Sequence, residues 1–85
     1  YEPFVQSVIW EERLMVAKIL QHVPLAYSEG MLSVLLEDEN WWVRQQAAET
    51  MMRDPNVLKR NMETTTDRFA KDIAQQVLTK AGVVI

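Results

Sequence analysis

The side chains in this sequence that could do chemistry are few: an acidic run, Glu37-Asp38-Glu39, and a single histidine. Paired carboxylates can act in acid–base catalysis, and their oxygens can hold a cation. A calcium site needs oxygen donors spaced around a glycine turn, and this run contains no glycine. We therefore interpret the acidic run as a turn that complements the positive end of the following helix.

The histidine, His22, has no cysteine or second histidine with which to build a metal site. No serine has a base at a spacing typical of nucleophilic catalysis, and no glycine-rich phosphate loop is present. The sequence therefore predicts that this segment is not an enzyme and has no catalytic, metal-binding or cofactor-binding residue. The serines considered were Ser7, Ser28 and Ser33.

Charge and composition argue against other classes of protein. The formal net charge is −3, and acids interrupt the one basic concentration, so we expect no nucleic-acid partner. No apolar run approaches the roughly 18 residues of a membrane span, so we expect no membrane contact and a cytoplasmic location. The chain begins with Tyr1 and ends on an apolar tail, which is typical of the C-terminal part of a longer chain. The basic residues are Arg53, Lys59, Arg60 and Arg68.

Apolar residues recur at intervals of three and four, which predicts an all-α domain over residues 1–85. Start and stop signals divide it into about six helices of about ten residues each, a length that needs packing for stability. The first helix opens at Pro3, and the second runs from near Trp10 to Pro24. Ser28 is expected to cap the third. The remaining helices begin at Asn40, at Asp54-Pro55 and at Thr64–Asp67, and Gly82 ends the last one.

The sequence contains an internal repeat, which becomes visible when the sequence is aligned with a shifted copy of itself. A shift of 31 residues superposes Trp10 on Trp41, Arg13 on Arg44, Ala17 on Ala48 and Pro24 on Pro55. A further shift of about 27 residues gives a degenerate third copy, as is common for terminal repeats. The pattern predicts three repeats, over residues 2–24, 28–54 and 55–82.

The segment LLEDENWWVRQQAAETM, residues 35–51, resembles a HEAT repeat of the short bacterial type known from phycobilisome lyases. It has an apolar helix, an acidic turn and a second helix with a Val-Arg-x-x-Ala-Ala pattern. The resemblance implies a right-handed α–α superhelix of the armadillo/HEAT type, with the second helices lining its concave face. It also implies an ion pair between Asp38 and Arg44. The copies depart at these positions: Ser7 and Thr65 replace the acid, and Lys71 replaces the arginine.

The repeat pattern assigns roles to the small and aromatic residues of the second repeat. Ala47 and Ala48 are small so that helices can approach closely. Trp41, which aligns with Trp10, is expected to fill the core between helices. Trp42 aligns with the polar Glu11, and we therefore expect it to be partly exposed.

The repeat positions also predict a concave face that could bind a protein. We interpret the domain as a non-catalytic protein–protein interaction scaffold whose partner and oligomeric state stay open. Two alternatives remain: an accessory domain of an enzyme such as a chromophore lyase, or a structural cap that ends a repeat array. The residues of the predicted face are Leu14, Lys18, Trp42, Gln45, Glu49, Asp72 and Gln76.

Overall fold

The helical spacing of the apolar residues produces five α-helices within residues 7–83, the part of the chain that the computed structural model describes. No strand occurs in this part, which confirms the predicted all-α class. The helix expected to open at Pro3 lies outside the described residues. The helices are α1 Trp10–Ile19, extended by a 3₁₀ turn Leu20–His22, α2 Leu25–Leu36, α3 Trp41–Met51, α4 Pro55–Thr64 and α5 Arg68–Lys80.

Three of the predicted helix caps are present. Asn40 accepts a hydrogen bond from the backbone N–H of Trp42 at 2.9 Å and starts α3. The side chain of Asp54 accepts a hydrogen bond from the backbone N–H of Asn56 at 3.1 Å and starts α4, with Pro55 in its first turn. Such a cap typically stabilises its helix by about 1 kcal/mol, because it satisfies a backbone donor that has no partner inside the helix.

The third cap and the last helix end belong to α5. Asp67 accepts from the backbone N–H groups of two residues in the first turn, at 2.9 and 3.0 Å. At the other end, Gly82 has φ +80°, and its N–H bonds to the carbonyl of Thr79 at 3.0 Å. The N–H of Val83 bonds to the carbonyl of Leu78 at 3.0 Å, which completes a Schellman ending. Gly82 therefore ends α5 as predicted.

The start of α2 differs from the prediction. Pro24, not Ser28, is the N-cap residue, and Ser28 is fully buried in the first turns of the helix. Its hydroxyl is 3.3 Å from the carbonyl of Pro24 and accepts a hydrogen bond from Arg53 at 3.2 Å. The expected cap was wrong because a serine hydroxyl can bond to the preceding turn from inside a helix as well as cap one.

The helices pack around α3, which contacts α1, α2 and α5, whereas α4 packs mainly on α5. Side chains also join α2 to α4: Ser33 bonds to Asn61 at 2.5 Å, and Asn61 donates to Glu29 at 3.1 Å. The radius of gyration is 11.5 Å, as expected for a compact chain of this size.

Small side chains let α1 and α3 approach closely. Ala17, Ala47 and Ala48 are fully buried, as predicted for the two alanines of α3. The hydroxyl of Thr50 on α3 donates to the carbonyl of Ala17 on α1 at 2.8 Å. This buried hydrogen bond joins the two helices directly.

Candidate interaction surface

An open groove of about 550 Å³ is formed by side chains of α1, α3 and α5. Trp41 contributes to its wall, together with most of the face predicted from the repeat positions. Asp72, the remaining residue of that face, lines a smaller neighbouring recess of about 150 Å³ instead. The predicted residues that the groove brings together are Leu14, Lys18, Trp42, Gln45, Glu49 and Gln76.

The two tryptophans at the start of α3 form an edge-to-face pair. Their ring centroids are 4.8 Å apart and the ring planes are inclined by 82°. Trp42 is 59% exposed, in agreement with the predicted partial exposure. Trp41 is 48% exposed, so the prediction that it fills the core was wrong. Trp41 is the first residue of α3, and its ring packs edge-to-face on Trp42 at the end of the helix.

Phe69 is a further exposed aromatic residue on this side of the molecule, and the sequence analysis missed it. It is 64% exposed and lines the smaller recess together with Trp41 and Arg44. The Arg44 guanidinium carbon lies 5.3 Å from the centre of the Phe69 ring, within the range of a cation–π contact. A signal was available: Phe69 follows its cap, Asp67, at the same offset as Trp42 follows Asn40.

The buried ion pair near the groove has a different partner from the one expected. Asp38 binds Arg13 of α1, with its Oδ2 2.6 Å from Nε and its Oδ1 3.1 Å from Nη2. The two side chains are only 10% and 8% exposed. The expected Asp38–Arg44 ion pair was therefore wrong. The same carboxylate accepts from the backbone N–H of Asn40 at 2.8 Å, which turns it toward α1.

Arg44 instead repeats another contact that Arg13 makes. Arg13 donates from Nη1 to the carbonyl six residues earlier, that of Ser7, and Arg44 donates to the carbonyl of Asp38 in the same way. The Asp38 hydrogen bond raises the pKa of Arg13, so this cation stays protonated. Among residues 7–83, the buried Nε of Arg44 has no hydrogen-bond partner. In Arg13, by contrast, the Nε–H group donates to Asp38.

The charged side chains of the groove are distributed unevenly. Lys18 lies in the last turn of α1 and Lys80 in the last turn of α5. Neither lysine forms an ion pair with another residue in 7–83. Glu49, between them on the groove wall, accepts a hydrogen bond from Gln45 at 3.2 Å. The groove therefore has a small positive excess in a chain of net charge −3.

The residues considered for catalysis or for nucleic-acid binding lie in other settings. Glu37 accepts from the Thr65 hydroxyl, and His22 is exposed at the end of the 3₁₀ turn. Arg53 donates to the carbonyls of Gln21 and Val23 and so holds the loop before α2. Within residues 7–83, no three histidine, aspartate or glutamate side chains are grouped so that they could hold a metal ion.

None of the helices in residues 7–83 combines the length and the apolar character needed to cross a membrane. Comparison of the chain with protein-family models, curated proteins and solved structures found no match.

Proposed function

We propose that the chain is a HEAT-like helical-repeat module that binds a partner protein in the groove of α1, α3 and α5. The repeat interpretation is supported by the equivalent hydrogen bonds of Arg13 and Arg44, each to the carbonyl six residues earlier. It is also supported by the packing of α3 against both α1 and α5. In a HEAT-like array these three would be the second helices of successive repeats and would line the concave face.

The observation that carries the proposal is the exposed tryptophan pair at one end of the groove. Large aromatic side chains that stay half-exposed beside a concavity contribute little to folding, and such apolar patches typically mark interaction sites. Tryptophan is also among the residues most enriched in the binding hot spots of protein interfaces. Trp42 and Leu14 therefore form the anchor site that a partner side chain would fill.

A pull-down from an extract of the source cells tests this proposal. Trp42→Ala and Leu14→Glu should each lose a partner that the wild-type chain retains, since each removes apolar surface from the groove. Losing a tryptophan hot spot typically costs about 2 kcal/mol, or about 30-fold in Kd. Helical circular dichroism should be unchanged in both variants.

Tyr27→Ala is the matched control, because Tyr27 is 78% exposed on α2 and does not line the groove. It should retain the partner. If Tyr27→Ala weakens capture as much as Trp42→Ala does, general surface hydrophobicity explains the binding and the groove assignment is wrong.

A second candidate function is a cap that ends a repeat array, and the outer face of α5 favours it. A terminal repeat needs a polar outer surface to stay soluble. On α5 the exposed side chains are mostly polar, which is what such an end requires. In the pull-down, capture that is independent of the groove with an intact fold would favour this function. The exposed polar residues are Lys71 and Gln75, which lie outside the groove and the recess, and Asp72, Gln76 and Lys80, which line them.

A further inference from the structure

The apolar surface of the groove continues into the smaller recess. Trp41 and Gln76 line both concavities, so the two are adjacent. Trp42 lies on the groove side of Trp41 and Phe69 on the recess side, and all three rings are about half-exposed or more. These three residues, here called the aromatic row, lie at the N-terminal ends of α3 and α5. The row can hold a large apolar side chain.

The positive charge of the groove lies toward the C-terminal ends of its helices. Lys18 lies one helical turn after Leu14 on α1, and Lys80 lies one turn after Gln76 on α5. The last turn of α3 lies about 10 Å beyond Trp42 along the helix, and this length sets the approximate distance from the aromatic row to the lysine end of the groove. An extended peptide spans that distance with about three residues.

Charge complementarity then selects one class of partner. Resting on the proposed function, we infer that the groove binds a peptide segment of a partner protein that carries a large apolar side chain and, about three residues away, a carboxylate. The apolar side chain packs on the aromatic row, and the carboxylate pairs with Lys18 or Lys80, which have no ion-pair partner within residues 7–83. A basic segment would meet both lysines. A phosphate backbone carries a charge at every nucleotide, and the groove has only two lysines to neutralise it.

Three fluorescein-labelled synthetic peptides test the inference. All contain a Leu-Trp pair and a three-residue Gly-Ser spacer, followed by two glutamates, two glutamines or two lysines. Fluorescence polarisation at low salt should rank their affinities for wild type as acidic above neutral above basic. We expect a total spread of about 10-fold, as for two partly exposed ion pairs. Added salt should narrow the spread, because exposed charges are screened.

Charge reversal of the two lysines makes the test specific. Lys18→Glu/Lys80→Glu should invert the ranking, and Trp42→Ala should weaken all three peptides by about 10-fold or more. Lys59→Glu/Lys71→Glu makes the same change of net charge away from the groove and should keep the wild-type ranking. Equal affinities for the acidic and basic peptides, no binding of any peptide at millimolar concentration, or inversion by the control pair would overturn the inference.

Failure of the inference can be distinguished from failure of the proposed function. A cellular partner that depends on Trp42 but is still captured by Lys18→Glu/Lys80→Glu overturns the acidic-peptide inference and leaves the binding module standing. A Trp42-dependent dimer in sedimentation, or tighter binding of a single-stranded oligonucleotide than of the acidic peptide, also overturns the inference. If neither the peptides nor the cellular partner depend on Trp42 for binding, both the acidic-peptide inference and the proposed function are overturned.

Discussion

The carboxylate of Asp38 links α1 to the start of α3. It binds Arg13 of α1 and the backbone N–H of Asn40, the residue that caps α3. The pair is almost fully buried, and removal of one partner from such a pair leaves an uncompensated charge. Asp38 therefore helps to fix the position of α1 relative to α3, two of the three helices that form the groove.

Asp38→Ala should lower the free energy of unfolding by about 3 kcal/mol, because it strands the buried Arg13 guanidinium. Urea unfolding followed by circular dichroism measures the effect. Glu39→Ala, an exposed neighbour, is the control and should change stability by less than about 0.5 kcal/mol. A loss of similar size in both variants would show that the Arg13 contact is not the cause.

Thr65 aligns with Asp38 when the chain is shifted on itself, and its hydroxyl accepts from the N–H of Asp67 just as Asp38 accepts from that of Asn40. An aspartate there should give the unpaired Nε of Arg44 an acceptor. We expect Thr65→Asp to add about 1.5 kcal/mol of stability, the lower end of the range for a hydrogen bond to a charged group. The change is made in a Glu37→Gln background, since Glu37 contacts Thr65 and would repel a second carboxylate.

A double-mutant cycle with Arg44→Gln isolates this contact. The gain from Thr65→Asp should disappear when Arg44 is absent. A gain of the same size without Arg44 would mean that the new aspartate acts on another group.

Side-chain contacts were harder to predict than the alignment of the chain with itself. The sequence placed Asp38 and Arg44 in one motif, but stacking of helices turns the aspartate toward Arg13, 25 positions earlier. Which arginine pairs with Asp38 depends on how the helices pack, and a short sequence motif carries no information about that packing. Trp41 shows the same limit, because its alignment with Trp10 could not show which way it points.

At the scale of the elements, capping residues determine where α3, α4 and α5 begin. Asp67 is the most heavily used cap, because one carboxylate oxygen accepts from two backbone N–H groups. It also positions Phe69 at the second residue of α5, on the aromatic row. The cap thus contributes to both the helix and the candidate binding surface.

Asp67→Ala should lower the free energy of unfolding by about 1 kcal/mol, since it leaves the first-turn donors of α5 without acceptors. Asp72→Ala is the control on the same helix, where the carboxylate is exposed. Thermal unfolding of both variants measures the difference. Equal melting temperatures would contradict the assigned role of the cap.

The link between α2 and α4 predicts a dependence on pH. Arg60 donates to Glu29 at 2.7 Å and lowers the pKa of this glutamate below its ordinary value of 4.5. Because the folded-state pKa is lowered, the stabilisation is present above about pH 4.5 and is lost as pH falls through the lowered pKa. Glu29→Gln should therefore flatten the acid side of the stability profile. An unchanged slope below pH 4.5 would contradict this link.

Helix boundaries were largely predictable because they depend on local chemistry. The Asn40, Asp54 and Asp67 caps and the Gly82 ending are each determined by a few neighbouring residues. Ser28 was misread because the same hydroxyl can serve a cap or the interior of a helix. The preceding Pro24, together with the Arg53 contact from the end of α3, places it inside α2.

At the scale of the whole molecule, three helices bring together residues that are distant along the chain. Leu14, Trp42 and Gln76 come from different predicted repeats and line one groove. The alignment of the chain with itself predicted that these side chains share one side of successive helices, and the groove brings six of the seven predicted residues together. The depth of the groove and the contribution of Phe69 follow from tertiary packing, which the repeat pattern does not specify.

Site-specific photocrosslinking tests whether a partner protein binds in the groove of α1, α3 and α5. A benzophenone side chain would replace Gln45 in the groove or, as the control, Glu63, an exposed residue of α4 that does not line it. After irradiation in source-cell extract, the account predicts a discrete protein adduct from position 45, none from position 63, and loss of the adduct with Trp42→Ala. Equal adducts from both positions, or an adduct from position 63 alone, would contradict the assignment of the groove as the binding surface.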